Sequence, residues 1–145
     1  MDYEKQIEET IIAVFTDDTT LDSFAKRRWQ DKSQKAVYPM IAVYADSDPD
    51  ETSNFAELWQ GTVNIQAETY RAEDKNRAVI DNMIKLIREN LTDKGGTRGH
   101  IKTRLNAKFA EININGIRLT GGTYETDNEN LNINQIKLNL YFENK

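Results

Sequence analysis

Tyr3, Ile7, Ile11 and Val14, with Phe15 beside them, fall on one face of a 3.6-residue period. That spacing predicts a helix from Asp2 to Thr16. Asp2 and Glu4 stand in its first turn, where the positive end of the helix dipole favours acids. Asp17-Asp18-Thr19-Thr20 breaks the pattern, and Leu21 to Trp29 reads as a short second helix with Leu21, Phe24, Ala25 and Arg28 on one side. The period then changes. Ala36 to Ala45 is predicted as a strand. Its Met40–Tyr44 run is of the buried type, and Pro39, which cannot donate to a ladder, belongs near its start or on an edge. Asp46 to Phe55 reads as an acidic loop. From Glu57 to Tyr70, Trp59, Gly61, Val63, Ile65 and Ala67 alternate with Gln60, Thr62, Asn64 and Gln66, the mark of a strand with one buried face.

A long central helix follows from Ala72 to Leu91, with Ile80, Met83, Ile84, Ile87 and Leu91 as its apolar stripe. Gly95-Gly96 marks its end, and Thr92 to Thr103 reads as a loop. Asn115-Gly116 predicts a type I′ hairpin. Such a turn sets Ile114 against Ile117 and Ile112 against Leu119, all on one face. The last strand, Asn130 to Phe142, alternates through Ile136, Leu138, Leu140 and Phe142. Leu131 and Ile133 are out of phase with that set, which predicts either a bulge near Asn134-Gln135 or a strand that starts later. The expected fold is α+β: a mostly antiparallel sheet of four to five strands, with an N-terminal helix and one long central helix packed on one face.

Composition narrows the classes. The chain has 145 residues, the size of one domain on the usual scale of roughly 100–200 residues. It has no cysteine, which removes disulfides, thiolate zinc sites and a cysteine nucleophile, and fits a reducing compartment. The charged start, Met1-Asp2-Tyr3-Glu4-Lys5, reads as no targeting segment. No apolar run approaches the ~20 residues of a membrane span, so no membrane partner is expected. The net charge of −5 argues against a sequence-specific DNA binder, which needs a basic footprint.

Few residues suggest chemistry. Asp46, Asp48, Asp50 and Glu57 match oxygen-donor positions of a calcium loop. The frame fails where it needs a glycine, since Glu51 stands there, and Pro49 lies inside it. A solvated acidic loop is the plainer reading, and no metal or cofactor is expected. Gly95-Gly96-Thr97-Arg98-Gly99-His100 follows a helix and lacks the ending of a phosphate loop, so a helix cap is the simpler account. His100 is the single histidine. Asp74 with Asp81 could do acid–base work, but with 24 Asp and Glu any such pair is cheap. Trp29 and Trp59 read as core or interface anchors. The asparagines at 113, 115, 128, 130, 132 and 134 could be plain solvent exposure, or could line an interface or a wet channel. No reactive group is set apart by its neighbours, so a structural or assembly role is expected rather than an enzyme. Charge does point outward: Asp46, Asp48, Asp50 and Glu51 form one acidic stretch, and Lys94, Arg98, Lys102 and Arg104 a basic one without acids. Opposite patches on one subunit suit a head-to-tail contact, which can close a ring. Two ordinary charged loops account for them equally well.

The order of elements carries a resemblance. An N-terminal helix, the Pro-led strand Tyr38-Pro39-Met40-Ile41-Ala42-Val43, an acidic loop and the strand Thr62-Val63-Asn64-Ile65 come first. The amphipathic Ala72–Leu91 helix and antiparallel strands follow. This layout resembles the bacteriophage tail-terminator and tail-completion family, to which the lambda minor tail protein U belongs, best from about Tyr38 to Thr120. The family has no short catalytic motif to match, and neither Leu21–Trp29 nor the last strand aligns with its pattern. The resemblance implies a hexameric ring in the virion tail, assembled in the bacterial cytoplasm. Such a ring caps the tail tube, ends its polymerisation and meets the neck or connector, with DNA passing through the lumen unbound. A head-completion or neck adaptor is the nearest alternative, and a small cytoplasmic ligand-binding α+β module is the next.

Overall fold

The computed structural model describes residues 3–29, 37–49, 59–91, 98–110, 112–126 and 130–144. Helix α1 spans Tyr3–Thr16 and buries Ile7, Ile11, Val14 and Phe15, the predicted stripe. Asp18 stops the chain from continuing as helix. Its Oδ1 accepts the N–H groups of Thr20 and Leu21 at 2.9 and 3.1 Å, which opens a 3-10 turn at Leu21–Ser23.

The predicted second helix is not there. After the 3-10 turn, Ala25–Arg28 is strand β1, parallel to strand β2 (Met40–Pro49). Two long-range bonds override the local pattern. Arg28 Nε donates to Glu8 on α1 at 2.7 Å, and Trp29 N–H donates to the Val43 carbonyl at 2.8 Å. Lys26 Nζ donates to the carbonyls of Leu21, Phe24 and Asp22, which closes the turn that precedes the strand. Burial lowers the Lys26 pKa, partly offset by Asp22.

β2 starts at Met40, just past the cis Tyr38–Pro39 bond. It runs through the front of the predicted acidic loop, with Asp46 opposite Thr62 and Asp48 opposite Gln60 of strand β3 (Trp59–Tyr70). Helix α2 begins at Ala78, later than predicted, and ends at Leu91. Asp74 sets that start. Its carboxylate accepts the N–H groups of Val79 and Ile80 at 2.9 and 3.0 Å, satisfying orphan donors at the positive end of the helix. The predicted loop before Thr103 is partly helical: α3 spans Arg98–Lys108, and Ile101, Leu105 and Phe109 are buried one turn apart.

The C-terminal region differs most. Asn115-Gly116 is not a hairpin. Strand β4 runs unbroken from Ile112 to Thr126, and Asn115 is the extra residue of a bulge between the Ile114–Phe142 and Gly116–Tyr141 pairs with strand β5 (Leu131–Asn144). One inserted residue shifts the alternation just as a turn would, so Ile114 and Ile117 still reach the same face. Asn106 of α3 holds the bulge: its Oδ1 accepts Ile114 N–H at 2.7 Å. A second irregularity lies in β4 between Thr120 and Thr123, opposite Ile136. The bulge predicted near Asn134-Gln135 is absent from β5, whose ladder with β3 runs through both residues. Leu131 and Ile133 simply face the other side.

Among the described residues the fold is α+β, with three α-helices and a five-stranded, mostly antiparallel sheet in the order β1-β2-β3-β5-β4. All three helices pack on one face. Ile41, Val43 and Ala45 of β2, Val63, Ile65 and Ala67 of β3, and Ile136, Leu138, Leu140 and Phe142 of β5 meet the helix stripes in a single core. A buried Leu, Ile or Phe of this kind is worth about 1.5–3 kcal/mol. Gly61 faces the same core, where a Cβ would come within 2.7 Å of the Phe142 ring. The opposite face of the sheet carries no described helix.

Candidate interaction surfaces

The acidic and basic stretches take different forms. Asp46 is exposed near the end of β2, and the β2 backbone continues through Asp48, paired with Gln60 of β3. β1 pairs only with Met40–Val43, so among the described residues this end of β2 lies on the free edge of the sheet. Asp50, Glu51 and Glu57 lie outside the described residues, as does Lys94. The extended course of β2 through Asp46 and Asp48 is not the wrap of a calcium loop.

Arg98 opens α3, and Lys102 is exposed on it. Arg104 was expected to face a partner. Instead its guanidinium pairs with Asp17 at the end of α1, which ties α3 to α1. α3 packs against α1 and β4, and β4 is the far edge strand. The acidic end of β2 and the basic helix therefore flank opposite sides of the sheet. With strands about 4.8 Å apart, β2 and β4 are separated by roughly 14 Å.

Asp74 is buried by its cap of α2 and accepts the Thr69 hydroxyl at 2.9 Å. Asn132 Nδ2 donates to the Asp74 carbonyl at 2.9 Å and to Thr69 Oγ1 at 3.3 Å. These bonds use the groups to hold β3, β5 and the start of α2 together. Asp74 thus has a structural task in place of the acid–base one considered with Asp81. Glu8 is likewise consumed, by Arg28 and by the Ala45 N–H at 2.9 Å. The Asp18 pKa is lowered, chiefly by the Asn90 side-chain hydrogen bond. Burial opposes this, and the Leu21 and Thr20 amides assist it.

The asparagines considered for an interface or a channel are placed differently from one another, and Asn128 lies outside the described residues. Asn132 is buried on the helix side, and Asn115 Nδ2 donates to Glu143 at 3.3 Å. A different amide group emerges on the helix-free face. Asn64 and Gln66 of β3 and Gln135 of β5 line a cleft of about 200 Å³ with Trp29, Ala42 and Tyr44. Asn64 and Gln66 were visible as the polar positions of an alternating strand. Joining them to Gln135 and Trp29 required the strand order.

Neither the models of known protein families nor the curated proteins gave a match to the chain. No described helix is long and apolar enough to cross a membrane. Among the described residues no cluster of three or more His, Asp or Glu is placed to hold a metal.

Proposed function

We propose that the chain is a structural virion subunit, a tail terminator that assembles head to tail into a ring. The observation that carries this reading is the placement of charge. Asp46 and Asp48 lie on the free edge at the end of β2, and Lys102 projects from α3 beside the opposite edge strand. Complementary patches on opposite sides of one subunit suit a heterologous contact, which closes into a ring when the rotation about it permits. The order of elements shared with the tail-terminator family supports the same reading and sets the expected ring at six subunits.

The mechanism is steric. One ring face matches the last layer of tail-tube subunits and blocks further addition, and the other presents a surface to the neck or connector. DNA passes through the lumen. The acidic total charge favours sliding over holding, because tight DNA binding needs clustered cations that displace counterions.

The test is the mass of the purified chain across a concentration series, with negative-stain images of the same samples and of tail tubes mixed with it. A closed ring near six subunits that seats on tube ends supports the proposal. A ring that binds portal or neck components and ignores tubes would make the chain a neck adaptor. A monomer that binds neither would end the virion reading and favour the ligand-binding module.

A further inference from the structure

The helix-free face of the sheet carries a hollow whose origin is a single short side chain. Cross-strand register places Arg27, Ala42, Gln66 and Gln135 in one row. The next row runs Tyr44, Asn64 and Lys137, with Trp29 alongside Tyr44 at the end of β1. Ala42 is only 1% exposed and forms the floor, while longer side chains rise around it. The resulting cleft of about 200 Å³ is lined by Trp29, Ala42, Tyr44, Asn64, Gln66 and Gln135.

We propose that this cleft binds one unit of a neutral saccharide, with its ring against Trp29 and Tyr44 and its hydroxyls on Asn64, Gln66 and Gln135. The proposal stands independently of the ring.

Four features of the lining select that chemistry. First, among the described residues its lining has no carboxylate, ammonium or guanidinium. Arg27 and Lys137 belong to the same rows but do not line the cleft. A charged ligand would surrender hydration there without a counter-charge. Second, each of three carboxamides offers both a donor and an acceptor, and a sugar hydroxyl is also both. A wholly apolar ligand would leave those amides unpaired as it displaced water. Third, indole and phenol rings supply flat apolar surface, with a polar handle, at low entropy cost. The C–H face of a pyranose matches such a surface. Fourth, the volume falls below the ~300–1,000 Å³ of sites that enclose drug-sized ligands. It therefore suits one ring of a chain whose remainder runs out over the open face. Gln66 Nε2 donates to Glu68 at 2.7 Å, which holds that carboxamide in one orientation before any ligand arrives.

The test follows the side-chain amide signals of Asn64, Gln66 and Gln135 and the Trp29 indole signal by NMR. The probes are glucose, galactose, mannose and N-acetylglucosamine, with adenosine monophosphate as the anionic comparator. At least one sugar should shift these signals together and saturably, with a dissociation constant on the order of 1–10 mM for so few contacts. Trp29→Ala should weaken that binding about tenfold, the range of a lost stacking contact. Ala42→Leu should fill the floor and abolish the shift, with the far-UV circular dichroism spectrum retained. If Ala42→Leu does not fold, Trp29→Ala decides, because its side chain is already 37% exposed. Absence of a saturable shift with all four sugars up to about 0.1 M overturns the proposal. So does binding of adenosine monophosphate alone, or sugar binding that survives both variants.

Discussion

Glu8 and Arg28 meet at 2.7 Å between the first helix and the first strand, and the glutamate side chain is almost wholly buried while the arginine is about one-quarter exposed. The second carboxylate oxygen of Glu8 takes the Ala45 N–H. One side chain thus joins α1, β1 and β2, and it is what makes a strand of the sequence Ala25-Lys26-Arg27-Arg28. Glu8→Ala leaves the Ala45 amide and the Arg28 guanidinium without this acceptor, and should lower stability by about 2–3 kcal/mol. Glu8→Gln keeps an acceptor and should lose less. Urea unfolding of the three proteins checks the order. Equal midpoints for wild type and Glu8→Ala would remove this pair from the account of β1.

Gly61 lies where the Phe142 ring crosses β3. A Cβ at 61 would sit 2.7 Å from the ring edge, and Phe142 is fully buried. Gly61→Ala should therefore destabilise by about 1–3 kcal/mol, although alanine suits a strand better than glycine. Gly61→Ala with Phe142→Leu should recover part of that loss, because the smaller side chain vacates the space. A double-mutant cycle by thermal unfolding measures the coupling. Strict additivity would show that the two positions do not compete for volume.

Asp18 gives the fold a defined acid sensitivity. Its Oδ2 accepts Asn90 Nδ2 at 2.9 Å while Oδ1 caps the 3-10 turn. The folded-state pKa is therefore below the ordinary 3.8. The unfolded chain binds the proton more readily, so stability from this group is fully present above pH about 4 and is lost as pH falls through the folded pKa. Asn90→Ala removes the largest cause and should bring the Asp18 pKa back toward its ordinary value. The carboxyl carbon of Asp18, followed by NMR from pH 2 to 6, reads this directly. An unchanged titration in Asn90→Ala would assign the shift to the backbone amides instead.

These side-chain pairs also explain which parts of the fold could be read from the chain. Alternation at Val63, Ile65 and Ala67, and at Ile136, Leu138, Leu140 and Phe142, is a local signal of a one-sided strand, and the structure keeps it. The stripes of α1 and α2 are equally local. β1 was hidden because Arg28 points toward the helices with its charge satisfied by a residue 20 positions earlier. α3 was hidden because Ile101, Leu105 and Phe109 are sparse within a polar stretch. Asn115-Gly116 misled because a bulge and a turn shift the hydrophobic phase alike, and only the ladder with β5 separates them. Of the candidate surface, Asp46 and Lys102 could be read as exposed charges. The engagement of Arg104 could not, since its partner Asp17 is 87 residues away.

That engagement decides how the proposed ring contact is tested. Reversing Arg104 breaks an ion pair inside the subunit and says little about assembly. Lys102 and Asp46 are the informative positions, both exposed and on opposite sides of the sheet. Asp46→Lys alone, or Lys102→Glu alone, sets like charges against each other across the proposed contact. Each should raise the concentration needed for assembly by about tenfold, roughly 1.4 kcal/mol at one interface. Combining the two restores opposite charges with their signs exchanged, and should return assembly toward the wild-type concentration. The same contact should weaken between 0.1 and 0.5 M salt, because exposed pairs are screened beyond a Debye length of about 10 Å at 0.1 M. Sedimentation at several concentrations measures all four proteins. If both single variants assemble like wild type, the acidic end of β2 does not meet α3. If both fail and the double variant fails as well, the two residues act at separate contacts, and the head-to-tail pairing of these patches is wrong.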